Sequence, residues 1–141
     1  MRFMIIVKAT PESEAGAMPE EALLAAMAEY HEQLVKAGVL LDANGLQPTS
    51  KGWRVAFDAQ GGRRVIDGPF TESKELVAGY TLIQVRTREE ALEWSRRFPT
   101  PFPGRECHIE LRQLFEVEDF GAGQAVERFK AIDALTASQA A

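Results

Sequence analysis

The stretch "RFMIIVK", residues 2–8, constrains this chain more than any other. Five consecutive apolar residues stand between a basic residue at each end, and the polar loop "ATPESEAGAM" follows. A run this short without alternation predicts a central strand covered on both faces. Such a strand needs neighbours, and the chain supplies them. "WRVAF" alternates Trp53, Val55 and Phe57 against Arg54 and Ala56, the period of a half-buried strand. "QGG" predicts a hairpin turn, and "RRVID" returns from it. "VAGYTLIQVR" predicts a further strand, with Tyr80 and Leu82 on one face and Thr81, Ile83 and Val85 on the other.

Two segments carry a helical period instead. Pro19 is expected at the first helical position, and Leu23, Met27, Tyr30, Leu34 and Ala37 then recur at three- and four-residue spacing. Gly38 suits the residue just past the end. In "TREEALEWSRRF" the spacing of Thr87 and Glu90 predicts a capping box, and prolines at 99, 101 and 103 end that helix. "VLLDANGLQP" reads as a strand with a bulge or bend near "ANG", and "CHIELRQLFEV" as a last strand. The order β-α-β, hairpin, β-α-β predicts an α+β fold: a ferredoxin-like sandwich with an inserted β-hairpin. Residues 1–117 are expected to form the domain. Residues 118–141 form a tail with Val126, Phe129, Ile132 and Leu135 on roughly one helical face, expected to pack on a neighbour.

The bulk numbers exclude several roles. The formal net charge of -5 gives no reason to bind nucleic acid or anionic lipid. No apolar run approaches the ~20 residues that a membrane-spanning helix needs. The apolar start is shorter than the h-region expected of a signal peptide, and the single Cys107 allows no internal disulfide, so a cytoplasmic location is expected. With two His and one Cys, no zinc-ligand spacing occurs, and no metal or organic cofactor is expected. No GxGxxG, P-loop or GxSxG motif occurs.

The most distinctive stretch is "VIDGPFTESKE", residues 65–75. An Asp in a turn normally accepts from the backbone N–H two residues on. Here that residue is Pro69, which has none. Asp67 must find donors elsewhere, and the N–H groups of Phe70 and Thr71 and the ammonium of Lys74 are expected to supply them. Asp67 and Lys74 are therefore candidate catalytic groups, with His31 as a candidate general base because its pKa can be set near neutrality. Phe70, Glu72 and Tyr80 are candidate ligand-binding residues around a pocket between sheet and helices. Against these readings stand plainer ones: a solvated charged loop for Lys74 and Glu72, a helix-surface or interface histidine for His31, and turn-forming for Asp42 and Asn44. Cys107 is expected in the core and His108 on the opposite face.

"DGPFTESKE", then "AGYTLIQV" and "EALEWSRRFP", resembles the YCII-related, or DGPF, family. The signature is met by Asp67, Gly68, Pro69, Phe70, Glu72, Lys74 and Glu75, then Gly79 and Tyr80. The likeness runs from "RFMIIVK" through "IELRQLFE". It implies a ferredoxin-like, dimeric αβ-barrel, cytoplasmic, often of unassigned function, with a regulatory link to a sigma factor in some members and lyase chemistry within the wider superfamily's range. Short members place a His about eleven residues before the Gly that ends the first helix. That position is Met27 here, with His31 one turn further along.

The function expected from the whole is small-molecule binding near the DGPF turn by a homodimer. A cofactor-free lyase or isomerase using Asp67 with Lys74 or His31 is the alternative.

Overall fold

β1 (Arg2–Lys8) lies between β5 (Val77–Gln84) and β6 (Ile109–Gln113), and β2 (Leu40–Gly45) flanks β5 on its far side. The computed structural model describes residues 1–71 and 74–141. All pairings in this four-stranded sheet are antiparallel, in the order β2-β5-β1-β6. The fold is mixed α+β, and the order is compatible with the ferredoxin-like expectation. β3 (Trp53–Phe57) and β4 (Arg63–Asp67) form a separate two-stranded sheet between β2 and β5, the inserted hairpin.

Helices α2 (Glu21–Lys36) and α3 (Arg88–Arg96) cover one face of the main sheet. Phe3 and Ile5 of β1, Ile83 of β5, Tyr30 and Leu34 of α2, and Ala91 and Trp94 of α3 form one buried cluster. β1 differs from its expectation. Phe3 and Ile5 are buried, but Met4 and Ile6 on the other face are only half-buried, because among the described residues the buried cluster with α2 and α3 lies on the Phe3 and Ile5 side.

The helix ends follow local chemistry. Thr87 caps α3 by accepting from the Glu90 N–H at 3.1 Å. The Glu90 carboxylate reaches the Arg86 N–H at 3.0 Å, one residue short of the expected capping box. α2 begins at Glu21, with Glu20 as its N-cap, so Pro19 lies before the helix and not at its first position. Gly38 takes a φ of 71° just past the helix, a conformation that glycine adopts at little cost. The loop after β1 holds a short helix that periodicity did not show, α1 (Pro11–Glu14), closed by a reciprocal Thr10–Ser13 cap. The tail forms α4 (Gln124–Gln139), which buries none of its residues.

The bulge in β2 falls earlier than expected. Leu40 pairs with Ile83 and Asp42 with Leu82, so Leu41 is the extra residue. Asp42 and Asn44 thereby share the uncovered face with Leu82 and Tyr80. β6 ends at Gln113, ahead of Leu114 and Phe115. Cys107 precedes it and is half-buried, with its Sγ 3.8 Å from the Phe102 carbonyl oxygen. His108 is exposed, 3.8 Å from Glu106.

Tyr30 gives the core a pH dependence. Its O–H donates to the Trp94 carbonyl at 2.9 Å, and the ring packs edge-on against Trp94 and Phe98. Burial pushes its phenol up to about 12, against a smaller lowering by the Arg97 guanidinium. The unfolded chain releases this proton near pH 10 and the folded one near 12. The stability held by the neutral phenol is therefore complete below about pH 10 and lost as pH rises to about 12. A loss on the order of 2 kcal/mol across that window is expected. Tyr30→Phe should flatten it. Equal alkaline losses for wild type and variant, followed by urea unfolding at several pH values, would refute the assignment.

Candidate functional site

The DGPF turn is pinned by backbone and not by its acid. Gly68 donates its N–H to the Gly52 carbonyl at 3.0 Å. The peptide bond between Gly68 and Pro69 is cis. Phe70 donates its N–H to Thr49 Oγ1 at 3.0 Å. The Thr49 hydroxyl in turn donates to Glu14 Oε2 at 2.5 Å, and its N–H to Glu14 Oε1 at 3.2 Å. A relay from α1 through the 3-10 turn Thr49–Lys51 thus fixes the turn at Phe70. The Arg54 guanidinium lies over the Phe70 ring, 3.7 Å from its centroid, a distance at which a cation–π contact is favourable.

This arrangement changes the expected role of the neighbours of Asp67. The Phe70 N–H serves Thr49, so it does not serve the carboxylate. No ion pair joins Asp67 to Lys74 among those of the described residues; the nearby pair is Lys8 with Glu75 at 4.0 Å. Both Asp67 and Lys74 are exposed. Asp67 ends β4 directly opposite Trp53, and its side chain makes no hydrogen bond among the described residues. Glu72 lies outside the described residues.

His31 sits elsewhere. On α2, its Nδ1 is 2.7 Å from the Met27 carbonyl oxygen and its Nε2 is 2.8 Å from Thr81 Oγ1. A carbonyl oxygen only accepts, so Nδ1 carries a proton, and Nε2 shares a hydrogen bond with the Thr81 hydroxyl. Both ring nitrogens are thus engaged between helix and sheet. Thr81 is buried on the helix-covered face of β5. A shallow surface depression beside His31 is lined by Ala28, Glu32, Val35 and Lys36.

Tyr80 stands on the opposite face of β5, turned away from the helices. The expected pocket between sheet and helices is instead packed with Tyr30, Leu34 and Trp94. Tyr80 belongs to a polar cluster that the sequence reading missed. Its O–H donates to Asp42 Oδ2 at 2.7 Å, while Asn44 Nδ2 donates to Asp42 Oδ1 and to the Tyr80 oxygen, each at 3.1 Å. The pairing of Asn44 with Tyr80 across β2 and β5 brings the three together. A carboxylate, an amide and a phenol on a half-apolar sheet face can bind a polar ligand group or fix a partner. The structure therefore gathers Asp67 and Phe70 on one turn, sets Tyr80 with Asp42 and Asn44, and leaves His31 behind the sheet. Among the described residues no group of three or more His, Cys, Asp or Glu is placed to hold a metal, and no helix is long and apolar enough to cross a membrane.

Comparison with known proteins agrees with the signature. A curated protein of Rhizobium meliloti (strain 1021), itself described as uncharacterised, is 32% identical over 95 residues, covering 67% of this chain and 75% of that protein. The family model described as the YCII-related domain matches residues 1–117, so the chain belongs to the YCII-related domain family.

Proposed function

We propose that this protein is a homodimer that binds a small molecule at the DGPF turn, with Asp67 as the group that recognises it. One observation carries this reading. The turn is held by Gly52, Thr49 and Arg54, yet among the described residues the carboxylate at its start makes no bond that holds it. An acid presented on a fixed turn, at no cost in backbone order, is suited to a ligand's donors. The dimer reading rests on the uncovered face of the main sheet, where Met4, Ile6 and Leu82 are half-exposed around the polar Tyr80 cluster. The single cysteine supports a cytoplasmic location. The acid–base alternative has less support, since Lys74 does not pair with Asp67 and both nitrogens of His31 are engaged.

The test is a paired one on full-length protein. Native mass spectrometry of the protein as purified should show a retained small molecule. Asp67→Asn should strip it while stability changes by about 1 kcal/mol or less, as for an exposed polar exchange. Lys74→Met reports whether the ammonium contributes. If both variants keep the adduct and both lose stability, the motif is scaffold and the reading fails.

A further inference from the structure

The three residues after Asp67 have no backbone donor left for its carboxylate. Gly68 donates its N–H to the Gly52 carbonyl, Pro69 has none, and Phe70 donates to Thr49 Oγ1 at 3.0 Å. Phe70 stands three residues beyond Asp67, a spacing at which an aspartate at a turn or cap takes a backbone N–H. The diversion of this N–H to Thr49 needs a cause, because Thr49 is 21 residues away and a hydroxyl can either give or accept.

Glu14 supplies the cause. A hydroxyl has one proton, and a carboxylate only accepts. Glu14 Oε2 is 2.5 Å from Thr49 Oγ1, so the hydroxyl proton points at Glu14 and the lone pairs of Oγ1 are left for the Phe70 N–H. The Thr49 N–H also goes to Glu14, at 3.2 Å to Oε1, which fixes the residue at two points. Glu14 itself stands on an anchored element. Thr10, the N-cap of α1, is 6% exposed, and the Ala9 N–H before it donates to the Leu76 carbonyl at 2.9 Å. The Arg105 guanidinium holds Glu12 on the same short helix.

We propose that Glu14 and Thr49 are positioning residues that keep the Asp67 carboxylate open to a small molecule by withholding the Phe70 N–H from it. With either side chain removed, that N–H is released to the acceptor three residues before it. Asp67 then closes on its own backbone, and an acceptor site meant for a bound molecule's donors becomes part of the turn. The inference rests on the reading of Asp67 as the recognising group and adds what keeps it available.

Carbodiimide coupling of glycine ethyl ester, read by peptide mass mapping, measures the availability of the Asp67 carboxylate, with the exposed Asp133 on α4 as internal reference. Thr49→Val keeps the shape of the side chain and removes the hydroxyl, Thr49→Ser keeps the hydroxyl, and Glu14→Ala removes the group that aims it. Coupling at Asp67 should fall several-fold in Thr49→Val and Glu14→Ala and match wild type in Thr49→Ser. A turn that is merely loosened bares the carboxylate and couples faster. Equal or faster coupling in Thr49→Val therefore overturns the inference, as does slowed coupling in Thr49→Ser. Native mass spectrometry separates this from the reading of the site. Thr49→Val should lose the mass that wild type retains, as Asp67→Asn does. If Asp67→Asn strips that mass and Thr49→Val keeps it, recognition by Asp67 stands and the withholding fails. If coupling falls in Thr49→Val but Asp67→Asn keeps the mass, the withholding stands and recognition by Asp67 fails.

Discussion

Gly68→Ala should release the hairpin from the rest of the protein. A Cβ at this position would run into the carbonyl oxygen and carbon of Thr49 and lie 3.3 Å from the Gly52 oxygen. These are backbone atoms, so no change of side-chain rotamer relieves the contact. The need for glycine here is one of space. The shift it forces would break the Gly68 bond to Gly52 and pull Phe70 away from Thr49. Overpacking of this kind costs about 1–3 kcal/mol, and the lost hydrogen bonds add about 1 kcal/mol each. The hairpin shares no ladder with the main sheet, and an isolated two-stranded sheet is marginal in water. Its amides should therefore exchange with solvent on the order of 100-fold faster in the variant, while those of β1 and β5 keep their protection. Unchanged exchange at Trp53–Phe57 and Arg63–Asp67 would show that the turn can shift freely and that Thr49 does not hold it.

Leu34→Ala should act on the other part of the molecule. Leu34, Ile5 and Ile83 are the largest side chains with no exposure at all, and Leu34 is the one that α2 sends between the two central strands. Removing it deletes buried surface and leaves a space that a rigid sheet cannot close. A loss of about 3 kcal/mol is expected, within the 2–5 kcal/mol seen for such truncations. For a domain of this size the midpoint of thermal melting should fall by roughly 10 °C. A loss under about 1 kcal/mol, with an unchanged denaturant slope, would mean that Tyr30 and Trp94 refill the space and that Leu34 is not central to the core.

What could be read in the sequence was what repeats locally. The strand faces of β5, the stripe of α2 and the Thr87 cap follow from spacings of two, three and four residues, and the structure has them, whereas the alternation of β3 marked a half-buried face that the structure leaves exposed at Trp53, Val55 and Phe57 because the hairpin stands apart from the main sheet. α1 escaped because four residues with no buried side chain leave no stripe, and its cap uses Ser13 where a Glu or Gln gives the usual signature. The position of the β2 bulge escaped because "VLLDANG" offers several residues as the extra one. At the site, the blocked Asp67 turn was legible, since it depends only on the Pro69 nitrogen. The destination of the Phe70 N–H was not. It goes to Thr49, 21 residues away, and Thr49 goes to Glu14, 35 residues away. The Tyr80 cluster likewise joins residues 36 and 38 apart, and only a known register brings them together. His31 stood at the edge of its helical stripe, where a small rotation decides between solvent and sheet. The structure turns it inward to Thr81.

The bulge at Leu41 also governs how copies of this chain can meet. β2 is an outer strand of the main sheet, and a flat outer strand invites another chain to extend the ladder without limit. Here the extra residue interrupts the strand's outer row of amides, and the Asp42 carboxylate accepts from the Ala43 N–H at 2.9 Å, taking one donor out of use. A negative charge on the rim further repels an incoming copy of the same strand. Growth of the sheet by strand addition is thereby blocked at this side. In the homodimer proposed above, contact between copies would be left to the faces of the sheet, surfaces that are used up once a closed pair has formed.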